Sequence, residues 1–424
     1  MTVVVVTGTG VVCSIAADLV EFATALRAGN CGINSRPDMV SDPMRPWLAA
    51  DLPEWNFARR LTESASSSAL HPAVPEIARR AAGRAPVGVQ MSVVVAMQAW
   101  AQARLAVHPV DPERVAVIVA GHNLNGSSAA IAAERHARSP VHLSPRYALQ
   151  FMDTDHVATV SEVLGVRGEG CTVGGASASG NVAIVHACRM IAADAADACL
   201  VIGAMSDLSA AERQAFYNLG VMAGAVSRSD PLRRCRPFDV KREGFVPGAG
   251  AACLVLESAA SAARRGVEAL ARIAGSAIGL DGNSLADPTV AGEVSVMRRA
   301  LARARLRPGQ VDYVNAHATA SVLGDVVELA ALDEVFGADG RPWLNSTKGL
   351  TGHCLSAAGL VEAVATVVQL REGFVHPNRN LEEPLASRCR LTGSSAVPAR
   401  LRVAVSNGFG FGGFNSSVVF TDAA

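Results

Sequence analysis

Continuous apolar runs closed by turns constrain this chain more than any other feature. Val3 to Val6 is such a run, ended by Thr7 and Gly8, and Val115 to Val119 and Ala198 to Ile202 are others. Unbroken apolar stretches of this length fit strands covered on both faces, as in a sheet with helices on either side. Stretches of helical composition lie between them, at 91 to 107 and after Asn181. A second set follows: strand Leu270 to Ile278, helix 293 to 305, strand Val311 to Val314, helix 324 to 336, a loop at 345 to 353, helix 355 to 371 and strand Leu401 to Ser406. This alternation predicts an α/β fold. The two sets share one rhythm, about five strands each, which points to an internal duplication. The expected halves are residues 1-258 and 259-424, packed tightly because no low-complexity linker divides them. Residues 35 to 90, rich in Pro, Arg and Ser, read as an irregular surface insertion.

Composition narrows the partners. The 424 residues are 50% hydrophobic, enough for a large core, and 38 basic residues balance 38 acidic ones. No basic field points to nucleic acid or to an anionic membrane. The apolar runs are far shorter than the ~20 residues that span a bilayer. MTVVVVTGTG lacks a basic leader and enters a strand at once, so no signal peptide is expected. The 9 cysteines are scattered singly, without metal spacing. A reduced, cytoplasmic protein without a metal or cofactor is expected. Lys241 and Lys348 are the only lysines among the 38 basic residues. Where Arg fills nearly every cationic position, a remaining Lys hints at a confined site that needs a compact charge.

Four segments carry candidate chemistry, each where a strand or loop meets a helix. GGASASGN (174 to 181) leads into the apolar helix VAIVHACRMI. A serine before a helix is ordinarily a cap. The same place, at the positive end of a helix dipole, also stabilises a developing anion. VNAHATASVLGDVVE holds His317 between a buried strand and a helix that opens with Asp325. NSTKGLTGHCLSAAG sets Lys348 and His353 in one loop, with Glu362 in the next helix. VSNGFGFGGFNSS interleaves glycines with Phe409, Phe411 and Phe414.

Together, in this order, the four segments resemble the β-ketoacyl-acyl-carrier-protein synthases of the thiolase superfamily. VVVTGTGVVCSIA resembles that family's first strand and CRPFDVKREGFVPGAGAACLVLE the end of its first half. The resemblance implies a five-layer αβαβα fold of two similar halves, the first carrying Ser177 and the second His317, Lys348 and His353, assembled as a homodimer. It makes these four the catalytic residues. It places Phe409, Phe411, Phe414, Thr319 and Ser321 at the substrate, with Phe411 as a gate whose N–H serves an oxyanion hole. Asp325, Glu328 and Glu362 become supports, and Lys348 is expected to pair with Glu362 and fix the loop of His353. Ala318 and Phe414 stand where the wider family usually has Gly and Thr, and Phe414 is expected to narrow the pocket.

Ser177 is the departure that matters most, because condensing members have a cysteine there. A thiol with an ordinary pKa of about 8.5 becomes a thiolate beside a helix N-terminus and a histidine. A hydroxyl does not, and needs a dedicated base to attack. Decarboxylation of a malonyl thioester needs no nucleophile, only donors aimed at the enolate oxygen. GGASASGN, SPRYALQFMDTDHVATVSEVLG and STKGLTGHCL resemble the Ser-for-Cys ketosynthase-like decarboxylases of polyketide β-branching cassettes. The activity implied is conversion of malonyl- to acetyl-acyl carrier protein. The partners implied are the malonyl-loaded carrier with its phosphopantetheine arm and a downstream enzyme resembling hydroxymethylglutaryl-CoA synthase. A condensing synthase and a non-catalytic partner subunit resembling a chain-length factor are the alternatives. A serine hydrolase fits poorly, since GASAS lacks the final glycine of G-x-S-x-G.

Overall fold

The computed structural model describes residues 2–37, 46–65, 69–224, 230–338 and 341–423. The first half runs β1 (Val4–Cys13), α1 (Leu19–Ala28), β2 (Ile33–Pro37), β3 (Pro46–Ala50), α2 (Phe57–Ala65), α3 (Val74–Ala82), α4 (Val87–Gln102) and β4 (Val115–Ala120). It continues with α5 (Gly126–Arg138), α6 (Tyr147–Gln150), α7 (Thr154–Leu164), β5 (Gly170–Val173), α8 (Ser179–Ala192), β6 (Ala198–Gly203), α9 (Ala210–Asn218) and β7 (Gly250–Ser258). The second half begins with α10 (Ala259–Arg265), β8 (Ala271–Leu280), α11 (Val290–Ala304), β9 (Tyr313–Asn315), α12 (Gly324–Phe336), β10 (Trp343–Asn345) and α13 (Lys348–Thr351). It ends with α14 (Ala358–Glu372), β11 (Phe374–Val375), β12 (Arg390–Leu391), β13 (Val397–Pro398), β14 (Val403–Gly410) and β15 (Phe414–Thr421).

Strand pairing shows the duplication directly. Eleven strands form one hydrogen-bonded sheet in the order β12-β10-β9-β14-β15-β8-β1-β7-β6-β4-β5. From β1 outward through β7, β6, β4 and β5 the pairings run antiparallel, antiparallel, parallel, parallel. From β8 outward through β15, β14, β9 and β10 the same sequence of senses recurs. Among the described residues the two sets of this sheet are joined by Val4–Val6 against Ala271–Ile273. The second set has one more strand than the rhythm suggested, because β12 adds to its edge through Arg390 and Leu391.

Burial explains the layers. β1, β4, β6 and β7 are buried along their whole lengths, so both of their faces are covered. α8 and α14 each pack against strands of both sets and form the middle layer. α4 and α7 cover the outer face of the first set, and α11 that of the second, with α12 packed beside it. This is the expected αβαβα stack. α14 is buried from Ala358 to Leu370, as a helix between two sheets must be. Of the range 35 to 90, residues 38–45 and 66–68 lie outside the described residues, and the rest is more ordered than expected: β2 and β3 pair, and α2 and α3 pack on each other and on the outer helices α4 and α7. Their Arg- and Ser-rich solvent faces hide a regular apolar stripe. Among the described residues no helix is long and apolar enough to cross a membrane.

α8 and α14 meet backbone to backbone. A Cβ added to Gly180 would lie 2.7 Å from the Leu360 nitrogen and 2.8 Å from the Gly359 Cα. Gly180→Ala therefore lowers unfolding free energy by roughly 1–3 kcal/mol, since the clash exceeds the ~1 kcal/mol of helix propensity gained. Gly393→Ala, where a Cβ meets nothing within 4 Å, stays within about 0.5 kcal/mol of the parent. Urea unfolding of both variants checks this, and equal midpoints would refute the contact.

Candidate active site

The turn between β5 and α8 presents Ser177. Ala176 takes a left-handed conformation (φ 48°), which an L-residue with a side chain adopts only when its surroundings impose it. Ser179 braces the turn: its Oγ accepts the Gly175 N–H at 3.0 Å and donates to the Ala176 carbonyl at 2.6 Å. Ser177 is therefore free of the capping role its position suggests, and its Oγ lies 2.8 Å from His353 Nε2. Gly410 lets the end of β14 pass beside this turn, since a Cβ there would sit 2.4 Å from the Gly175 carbonyl and 3.1 Å from the Ser177 nitrogen.

His353 follows α13, and its backbone N–H donates to the Val246 carbonyl at 2.7 Å. Its Nδ1 accepts the Leu355 N–H at 3.3 Å. In a neutral imidazole that leaves the proton on Nε2, so Nε2–H donates to the Ser177 oxygen. The His317 ring stands edge-on to it, 5.6 Å away at 83°. Phe245 and Phe409 wall the two rings at 5.3 and 5.7 Å. Burial, with the nearby Lys348 ammonium, holds both histidines well below their ordinary pKa, and His353 depresses His317 further. Both are neutral at pH 7.

Two buried ionisable groups, Glu328 and Lys348, hold the His317 main chain. Glu328 accepts the N–H groups of His317 and Ala318 at 2.8 and 2.7 Å. The Lys348 ammonium donates to the His317 carbonyl and to Glu362. Burial pushes Glu362 up to about 7 against the pull of Lys348. Lys348 thus pairs with Glu362 as expected, but its ammonium holds the His317 segment. The loop of His353 is tied to Lys348 only through the backbone, where Gly352 N–H meets the Lys348 carbonyl at 3.0 Å. Asp325, pushed up to about 7 by burial, accepts the N–H groups of Phe238 and Ser321. Lys241, the other lysine, is exposed and paired with Glu383.

A cavity of about 580 Å³ joins these groups, with Ser177, His317, His353, Phe409, Thr319 and Ser321 in its wall. Phe411 also lines it, 36% exposed and stacked on Phe216 of α9 at 6.3 Å. Phe414 is absent from the wall. Its ring packs toward Gly175 and Gly412, because neighbours on a strand face opposite ways and Asn415 takes the cavity side. The expected narrowing of the pocket by Phe414 does not occur. Glu293 of α11 lines the cavity too. Nothing in the sequence marked it, since a glutamate in the first turn of a helix is ordinarily solvated. Among the described residues no group of three His, Cys, Asp or Glu side chains could hold a metal ion.

The site thus sets a hydroxyl on a strained turn against one of two adjacent neutral imidazoles within a duplicated five-layer frame. Two family models match: "Beta-ketoacyl synthase, N-terminal domain" over residues 1–262 and "Beta-ketoacyl synthase, C-terminal domain" over residues 270–382. The chain belongs to the β-ketoacyl synthase family. It is 34% identical over 98% of its length to the polyketide biosynthesis malonyl-ACP decarboxylase PksF of Bacillus subtilis, covering 95% of that protein. Among solved structures it is similar to a β-ketoacyl synthase from Burkholderia phymatum (TM-score 0.85, 28% identity, 100% of each chain). It is also similar to the ishigamide ketosynthase/chain length factor (TM-score 0.86, 25% identity, 99% of each chain).

Because both histidines stay neutral in the folded state, the unfolded chain binds protons first as pH falls below 6.5. Each of these two histidines therefore contributes a loss of about 1.4 kcal/mol per pH unit as pH falls below about 6.5, opposed over the same range by Asp325 and Glu362, whose protons the folded state binds first. His353→Gln should flatten that slope by about one such increment. Denaturant unfolding between pH 6.5 and 5 measures it, and an unchanged slope would show that His353 is protonated when folded.

Proposed function

We propose that this protein decarboxylates malonyl-acyl carrier protein to acetyl-acyl carrier protein. The observation that carries the reading is the Leu355 N–H donating to His353 Nδ1, which sets the direction of the Ser177–His353 hydrogen bond. With Nδ1 occupied by the Leu355 N–H, Nε2 already holds a proton. A protonated Nε2 cannot take the hydroxyl proton, so Ser177 is not activated as a nucleophile. The same N–H is a donor suited to a thioester oxygen. Similarity to a protein named as a malonyl-ACP decarboxylase supports the reading independently.

In this mechanism the phosphopantetheine arm enters past Phe411, between Thr319 and Ser321, and places the malonyl group in the cavity. The thioester oxygen replaces the Ser177 hydroxyl at His353 Nε2 and is met by His317. Loss of CO2 moves an electron pair onto that oxygen as an enolate, which the two neutral imidazoles stabilise. Donors preset in this way are each worth about 3–4 kcal/mol in comparable sites. The N–H groups of Ser177 and Phe411 are oriented by the turn and by the end of β14, and Lys348 with Glu328 fixes His317. No acyl group waits on Ser177, so the enolate is protonated and an acetyl thioester leaves. Supply of that product to an enzyme resembling hydroxymethylglutaryl-CoA synthase during polyketide β-branching, a homodimeric state and a cytoplasmic location belong to the same proposal.

The test is to offer malonyl-carrier protein alone and follow its mass. Loss of CO2 with an acetyl product is expected. Chain lengthening that requires an acyl primer would make it a condensing synthase, and no change would make it a non-catalytic partner. His317→Ala and His353→Ala should each slow turnover by about 100-fold or more. Their combination should be little worse than the poorer one, since the two act as a unit. Ser177→Ala should keep measurable decarboxylation, and an acyl-Ser177 ester that forms and decays with turnover would overturn the account.

A further inference from the structure

Decarboxylation without condensation leaves a demand that a condensing enzyme does not have: the enolate carbon must receive a proton. Glu293, in the first turn of α11, is 1% exposed, lines the cavity of Ser177 and both histidines, and has no hydrogen-bond partner at Oε2. One turn further on, Met297 Sδ lies 3.4 Å from Asn407 Nδ2, which also reaches Glu328 Oε1 at 3.4 Å. That carboxylate is the one holding the His317 and Ala318 N–H groups. α11 thus abuts the His317 side of the cavity. From the geometry we infer that Glu293 is the acid that delivers a proton to the enolate carbon, a role that rests on the decarboxylase reading above.

The electrostatics fit an acid rather than a base. Burial first, and then the neighbouring carboxyls Glu328, Asp281 and Asp325, push Glu293 well above the ordinary carboxyl range. That shift favours the protonated form, the one that can donate. A buried carboxyl with no partner is costly when ionised, and protonation removes most of that cost. The step balances. The bond between the malonyl carboxylate and C2 breaks, CO2 leaves, and its electron pair becomes the enolate. The Glu293 O–H then gives its proton to C2, forming the acetyl methyl group. The resulting carboxylate regains a proton from water reaching the cavity.

Glu293→Gln keeps the shape and cannot donate an acidic proton. The deciding measurement uses the full chain with malonyl-carrier protein and dissolved 13CO2. It compares entry of label into unreacted malonyl groups with formation of acetyl groups. When the acid is missing, the enolate persists and recaptures CO2. The ratio of exchange to acetyl formation should then rise by about tenfold or more, with acetyl formation slowed by about 100-fold. A merely structural role would slow both and leave the ratio unchanged. Glu293→Asp, which retains an acid, should bring the ratio back toward wild type, and Glu293→Ala, which lacks one, serves as the test if Glu293→Gln does not fold. If wild type forms acetyl product and the ratio is unchanged in the Gln or Ala variant, water supplies the proton and the inference is wrong. If wild type forms no acetyl product, the decarboxylase reading itself fails, and this inference falls with it.

Discussion

The contact between Gly180 and Gly359 is the constraint on which the site depends. A Cβ on Gly359 would lie 2.8 Å from the Asn181 nitrogen, and one on Gly180 would lie 2.8 Å from the Gly359 Cα. Only bare backbones allow α8 and α14 to cross so closely between the two sheets. Each helix is entered through a short 3-10 turn whose first residue is left-handed, Ala176 at φ 48° and Leu355 at φ 51°. The crossing brings these two turns together. One presents the Ser177 hydroxyl. The other uses its Leu355 N–H to fix which nitrogen of His353 carries the proton. The duplication has thus yielded two copies of one strained turn with different duties.

Charge is buried here where it can hold backbone in place. Lys348, Glu328 and Glu362 are nearly inaccessible to water, and the first two hold the peptide groups on either side of His317. A buried ion pair is weak evidence of stability, because desolvation offsets most of the attraction. Its use here is positional. The ammonium also disfavours imidazolium and so helps burial keep both rings neutral.

Much of this was legible in the sequence. Strands buried on both faces appear as unbroken apolar runs, so β4 and β6 could be read directly, whereas β1 runs on to Cys13 through Thr7 and Gly8, which read as a turn but only shift the register there, and the four site segments lie at strand–helix and loop–helix junctions. What failed did so for physical reasons. α2 and α3 belong to the outermost layer, so half of each is solvated, and their Arg- and Ser-rich faces read as irregular. Phe414 is a neighbour of a cavity residue in sequence, but strand alternation turns it away. Glu293 reads as a solvated first-turn glutamate, and only the closure of β8, α11 and α12 around it removes water. The lysine signal was half right: scarcity marked Lys348 in the site and Lys241 on the surface alike.

The hydroxyl at position 177 also changes what chemistry the protein can suffer. Enzymes of this architecture that work through a thiolate are open to alkylating and oxidising compounds, because a poised sulfur is their most reactive atom. This cavity has no cysteine in its wall. Burial raises the pKa of all nine thiols, Cys171 least shielded among them. An electrophile that silences thiol-dependent relatives in the same cell would find no target in this site.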